Sequence, residues 1–213
     1  MRVKFEKQLT DLNDELIHMG SMIEQAIEMS ISALVRQDED KARKTIMFSD
    51  EIEHMEKEIE NRCFRILLSQ QPVAGDLRRV SSALKMVTDM KRIGDFAGDI
   101  SEISLNLLGQ EYIKKLDHLT KMAKETTVMV INSIEAFVQE DVVLAGEVIK
   151  SDDIVDELFL TVKDELIDLI LKNPENGSQA TDMLMIAKYF ERIGDHAENI
   201  AKWVIFSVTG KKE

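Results

Sequence analysis

The ten residues Lys91-Arg-Ile-Gly-Asp95-Phe-Ala-Gly-Asp99-Ile return one hundred positions later as Glu191-Arg-Ile-Gly-Asp195-His-Ala-Glu-Asn199-Ile. A chain that carries one motif twice is constrained to two similar halves, because each copy folds under the same local physics. The repetition runs beyond the motif. Ala33-Leu-Val-Arg-Gln-Asp38 corresponds to Ala136-Phe-Val-Gln-Glu-Asp141 at an offset of 103, and Ala42 and Ile46 correspond to Ala145 and Ile149 at the same offset. A loop three residues shorter before the last helix accounts for the change from 103 to 100. The halves are assigned to residues 1–110 and 111–213, and with no low-complexity linker between them they are expected to pack side by side as one elongated body.

Each half reads as three helices. With only two prolines and 5% aromatic residues, the chain lacks the enrichment that strands require and favours long helices. Apolar residues recur at three- and four-residue steps from about Phe5 to Arg36, through Leu9, Leu12, Leu16, Met19, Ile23, Ile27 and Leu34. Asp38 stands as an N-cap for a second helix, Glu39 to Ser69, which stops at Pro72-Val-Ala-Gly75. Asp76 is expected to cap a third helix reaching Gly109, with Val80, Leu84, Val87, Met90, Ile93, Ala97 and Ile100 as its apolar stripe. The second half repeats the cycle: Tyr112 to Gln139, Asp141 to Lys172, a loop at Asn173-Pro174-Glu175-Asn176-Gly177, and Ser178 to Thr209. The fold class is all-α, two tandem antiparallel three-helix bundles related by internal duplication.

The charge balance narrows the partners. A net charge of −13 disfavours a nucleic-acid partner, since that affinity comes from Lys and Arg neutralising phosphates. No apolar segment approaches the roughly 20 residues needed to span a bilayer, so a soluble chain is expected, one that reaches a membrane through protein contacts without inserting. Cys63 is the single cysteine and lies in an apolar-periodic stretch; it reads as a core residue in a reducing cytoplasm.

The repeated motif is acidic along one stripe. Positions i, i+4 and i+8 of a helix share a slowly drifting face, which aligns Glu191, Asp195 and Asn199 in one copy and Asp95 and Asp99 in the other. A second acidic set recurs on the preceding helices: Asp50 with Asp153, and Glu53 with Asp156. These nine residues form the candidate metal ligands. Oxygen donors alone favour Mg²⁺, Mn²⁺ or Fe³⁺ over zinc, which prefers Cys and His. The competing explanation is solvated salt bridging, Lys188 to Glu191 and Arg192 to Asp195, worth a few tenths of a kcal/mol per pair. Recurrence argues against it, because an exposed charge pattern has no packing reason to reappear. Gly94 and Gly194 sit inside helices at a cost of about 1 kcal/mol each relative to Ala, so either a ligand or a second helix comes close there. His196 lies about 100° around the helix from Asp195 and is not counted as a ligand.

No enzymatic constellation is legible. The acidic stripes lack the Glu-x-x-His pairs of di-iron bundles, and there is no Gly-rich phosphate loop or Ser-His-Asp set. The chain is read as a non-enzyme; a carboxylate-bundle metalloenzyme or metal-storage protein is the competing function.

Pro72-Val-Ala-Gly-Asp76-Leu-Arg78, then Lys91-Arg-Ile-Gly-Asp95, then Glu191-Arg-Ile-Gly-Asp195-His-Ala-Glu-Asn199-Ile together resemble the PhoU family of phosphate-uptake regulators, over essentially the whole chain. The resemblance implies paired three-helix bundles, each with a multinuclear metal site on its surface. It also implies a cytoplasmic protein, expected here as a homodimer, which contacts the nucleotide-binding subunit of the phosphate ABC transporter and a phosphate-sensing histidine kinase and restrains the starvation response. Glu191, Asp195 and Asn199 match the family pattern. Lys91 departs from it, standing where an acid is expected, and an ammonium there competes with metal.

Overall fold

The computed structural model of the protein describes residues 2–69 and 73–211. Six helices follow one another: α1 (Arg2–Arg36), α2 (Glu39–Ser69), α3 (Ala74–Asn106), α4 (Asp117–Gln139), α5 (Val142–Lys172) and α6 (Gly177–Thr209), with a single 3-10 turn at Pro174–Asn176 and no strand among the described residues. The apolar stripes explain the packing. Leu12, Leu16, Met19, Ile23, Ile27 and Leu34 of α1, and Ile186, Ile193, Ala197, Ile200 and Val204 of α6, are all buried. Three antiparallel helices make each half, and α3 packs on α6 and α1 on α4 between the halves. The buried apolar side chains of all six helices form one continuous cluster, so the duplicated units share a core. Truncating a fully buried member such as Leu16 to Ala costs about 2–5 kcal/mol.

The α1–α2 and α4–α5 corners are built alike. Gln37 (φ 51°) and Glu140 (φ 57°) take the left-handed conformation just after their helices. The next residue's N–H then donates to a carbonyl five residues back, Asp38 to Ala33 and Asp141 to Ala136, closing the outgoing helix. The same two aspartates start the next helix, Asp38 accepting from Lys41 N at 2.9 Å and Asp141 from Val143 N and Leu144 N at 2.9 and 3.0 Å.

Three sequence expectations differ from the structure. α3 begins at Ala74, so Ala74 and Gly75 are helical, and Asp76 lies in the first turn without a side-chain capping bond; Val73 holds the cap position. Pro72 lies outside the described residues. α3 ends at Asn106, short of Gly109, which turns the chain with φ 71°. Tyr112–Leu116 does not begin α4, because side chains from other helices satisfy the backbone of this crossing segment. Gln179 accepts from Ile113 N at 2.7 Å and donates to Glu111 O at 3.1 Å, while Gln37 donates to Gln110 O at 2.6 Å. A backbone so partnered has no need of helical bonds.

No helix among the described residues is long and apolar enough to cross a membrane. Cys63 is fully buried, and its thiol pKa is pushed up to about 12, chiefly by burial, which leaves it a packing residue.

Candidate metal centre

The acidic seam of the second half lies where α5 and α6 pack against each other. Gly194 brings them together: a Cβ built there would stand 2.7 Å from Asp152 Oδ1 and 3.4 Å from Val155 Cγ1. Helical spacing places Asp152 and Asp156 on one side of the seam and Glu191, Asp195 and Glu198 on the other. Their proximity shows in their acidities. Burial raises the Asp152 carboxyl to about 7, reinforced by the negative charges of Asp156, Asp195, Glu198 and Glu191. Partial desolvation raises Asp156 and Asp195 although both residues are exposed, with Glu191 the next cause for both and Lys188 opposing. Lys188 stands at the rim, bonded to Glu191 Oε1 and 5.3 Å from the centre of the Phe159 ring. Asp152 Oδ1, and the second oxygen of the carboxylate that Lys188 binds, Glu191 Oε2, are buried with no hydrogen-bond partner. Orphaned carboxylate oxygens of this kind are costly and suit a hard cation. Even so, no three Asp, Glu, His or Cys side chains among the described residues converge closely enough, as placed, to grip one ion. The seam concentrates charge without forming a finished cage.

The first half is built differently at the same positions. Gly94 meets Ile52 of α2, whose Cγ2 would lie 2.9 Å from an added Cβ, and Gly98 faces Ser49, whose Oγ would lie 3.6 Å away. The two glycines of the repeated Ile-Gly-Asp therefore serve tight helix crossing in both copies, and in the second the crossing partner includes a carboxylate. Lys91 Nζ bonds Asp95 Oδ2 at 2.6 Å, and Arg92 lies 3.6 Å from the same oxygen. Glu53 is bound by Lys57 at 2.5 Å; that bond and the charges of Lys57 and Lys91 lower its pKa. Burial raises Asp99, as do Glu102 and Asp95, while Arg192 and Lys91 oppose. Among the described residues of this half, no acidic oxygen is buried without a partner. Among the described residues, the second half has buried unpartnered carboxylate oxygens that the first lacks, and in neither half do three acidic side chains converge on one point.

Of the residues singled out from sequence, Asp156, Glu191 and Asp195 meet in the α5–α6 seam, with Asn199 partly buried one turn along α6. Glu53, Asp95 and Asp99 gather around Lys91. Asp50 and Asp153 are exposed on the outer sides of α2 and α5. Asp152, Glu198 and, in the first half, Glu56 join the acidic sets without having been chosen. Asp152-x-x-x-Asp156 was a readable i, i+4 pair, but Asp152 corresponds to Ser49 and so escapes a search for acids that recur. Of the two pairs in the salt-bridging explanation, Lys188–Glu191 forms, whereas Arg192 lies over the Phe96 ring of the other half at 5.8 Å.

Two three-helix halves sharing a core, with an acidic seam strongest in the second, define a duplicated helical-bundle protein. The chain belongs to the PhoU family; the PhoU domain model matches residues 16–104 and again residues 119–204. It is 38% identical over 98% of its length to a phosphate-specific transport system accessory protein PhoU homolog of Clostridium acetobutylicum, covering 95% of that protein, and 35% identical over 89% of its length to the Aquifex aeolicus homolog, covering 86%. The crystal structure of PhoU from Pseudomonas aeruginosa superposes with a TM-score of 0.92 at 32% identity, covering 97% of this chain and all of that one. The Streptococcus pneumoniae phosphate transport system regulatory protein PhoU shares the fold, with a TM-score of 0.91 at 24% identity and coverage of 98% and 99%.

Proposed function

We propose that the protein is an accessory regulator of phosphate uptake. It restrains the phosphate-starvation response through contacts with the nucleotide-binding subunit of the phosphate ABC transporter and with the phosphate-sensing histidine kinase, as a cytoplasmic homodimer at the inner face of the membrane. The observation that carries this reading is likeness over nearly the whole chain to proteins described as phosphate-specific transport system accessory proteins, 38% identical in one case. The α5–α6 seam supplies a physical means of control. Asp152, Asp156, Glu191, Asp195 and Glu198 would hold Mg²⁺, Mn²⁺ or Fe³⁺ by turning toward it, and such an ion would neutralise a face that otherwise repels itself and any acidic partner. Charge on this face then sets whether a partner can approach.

Affinity purification of the tagged protein from cells grown in excess phosphate tests the assignment. The transporter's nucleotide-binding subunit and the kinase should be recovered, and the yield should fall when chelator is present throughout. Recovery of neither protein, from cells that express both, contradicts the proposal.

A further inference from the structure

The outer face of α5, turned away from the seam, carries a row of exposed apolar side chains. Leu160, Ile167 and Leu171 are 49, 47 and 77% exposed, and steps of seven and four residues set them along one side of the helix over about 16 Å. Single exposed apolar residues are ordinary, whereas an aligned row is a contact surface. Glu157, Asp164 and Asp168 form a second row beside it, each three residues ahead of an apolar one and so about 60° around the helix from it. All three acids are exposed, and none is paired with a cation among the described residues. The duplication separates the two rows. At the offset of 103, Phe64 and Leu68 of α2 stand for Ile167 and Leu171, and they too are exposed, at 51 and 86%. An apolar pair exposed in both copies is not explained by core packing. The acids do not return, since His54, Asn61 and Arg65 stand for Glu157, Asp164 and Asp168. In this register, negative charge belongs to α5 alone.

We propose that the outer face of α5 docks a basic amphipathic helix of another protein, with the partner's apolar row on Leu160, Ile167 and Leu171 and its Lys or Arg side chains on Glu157, Asp164 and Asp168. A helical occupant follows from the spacing: Leu160, Asp164, Ile167 and Leu171 step by four, three and four residues, the register in which two helices interlock. Its charge follows from the second row. Three carboxylates along the contact repel an acidic helix, an anionic bilayer and nucleic acid, and a second copy's α5 would set like charges against each other. The inference requires no metal, and it stands on the face of α5 whichever protein supplies the helix.

Photo-crosslinking in intact cells tests the proposal. Benzoylphenylalanine replaces Thr161, an exposed neutral residue beside both rows, or Glu58, its exposed counterpart on α2, in the full-length protein, and crosslinked peptides are sequenced by mass spectrometry. The probe at position 161 should capture a segment of another protein in which Lys or Arg recurs every three or four residues beside an apolar row, and the probe at position 58 should not. Asp164→Lys combined with Asp168→Lys should lower that yield by about tenfold or more, as should Leu160→Ser combined with Leu171→Ser. All four positions are exposed, so unchanged melting temperatures show that the variants remain folded. Capture of a second copy of this chain, of lipid or of a segment without cations would overturn the proposal. So would equal capture from positions 58 and 161, absence of any product at 161, or a yield that survives the charge reversal. A basic helix from a protein other than the transporter subunit or the kinase would leave this inference standing and count against the partners proposed above.

Discussion

His196 on α6 places Nδ1 2.7 Å from Asp89 Oδ1 on α3, joining the two halves through a polar contact that the duplication does not repeat. The matched positions of the other copy are Phe96 and Tyr189, whose rings stack with centroids 5.6 Å apart. One pair is ionisable and the other aromatic, although both fill equivalent places in the α3–α6 interface. The Asp89 side chain is 15% exposed, so removing its partner strands a carboxylate. His196→Ala is expected to destabilise the protein by about 1–3 kcal/mol, lowering the melting temperature by roughly 2–4 °C per kcal/mol. Denaturant unfolding of His196→Ala beside a surface control such as Lys124→Ala checks this; equal midpoints would show that the contact contributes nothing.

Asp152 gives the metal-free protein a distinctive pH dependence. Its pKa is raised from 3.8 to about 7 in the fold, so the folded chain holds a proton that the unfolded chain has released. Stability therefore falls as pH rises between those two values, and is unaffected by this group below the lower one. Asp152→Asn removes the effect. In chelator at pH 8 it should stabilise the protein by on the order of 1 kcal/mol, discounted from the full shift because the side chain is partly solvated. The gain should vanish at about pH 3 and below, under the unfolded value of 3.8, where both states are protonated. Thermal melts at the two pH values make the comparison, and an Asp152→Asn gain equal at both would contradict the assignment.

The helical glycines should respond differently to a methyl group. At Gly20 the added Cβ meets the Cδ1 tip of Ile134, a flexible end that can turn aside. At Gly194 it meets Asp152 Oδ1 at 2.7 Å with Val155 behind. Gly20→Ala is expected within about 1 kcal/mol of the wild type, since helix propensity offsets the contact. Gly194→Ala displaces Asp152 and should weaken Mn²⁺ binding, which calorimetric titration would show; unchanged affinity would separate Asp152 from the seam.

The seams should also differ under direct deletion. Asp195→Ala removes a carboxylate from a set whose buried oxygens lack partners, whereas Asp95 is already held by Lys91 and Arg92. Elemental analysis of the purified variants should show metal content falling in Asp195→Ala and staying near wild type in Asp95→Ala. An equal loss in both would place metal in both halves.

Much of the fold was legible because its signals are local. Asp38 and Asp141 announce their helices by residue type, and the apolar steps of α1, α2 and α6 follow directly from the helical period. The segment before α4 was not legible, since Gln37 and Gln179, remote in sequence, satisfy its backbone. The acidic seam was half legible for a related reason. Recurrence finds what the two copies share, Asp95 with Asp195 and Glu53 with Asp156, and hides what distinguishes them. Asp152 is the clearest loss: its copy is Ser49, yet its burial and orphaned oxygen make it the most perturbed carboxylate of the seam.

The most direct measurement of the central claim is complementation. A strain lacking the gene, and lacking any second PhoU-type gene, is supplied with the wild type, with the triple variant Asp152→Asn, Glu191→Gln, Asp195→Asn, or with an empty vector, and a phosphate-starvation reporter is read in excess phosphate. The account predicts that the reporter is on with the empty vector, off with the wild type, and on with the triple variant present at wild-type abundance and still folded. A reporter that stays off with the empty vector would contradict the regulatory assignment, and repression by the triple variant equal to the wild type would contradict control through the α5–α6 seam.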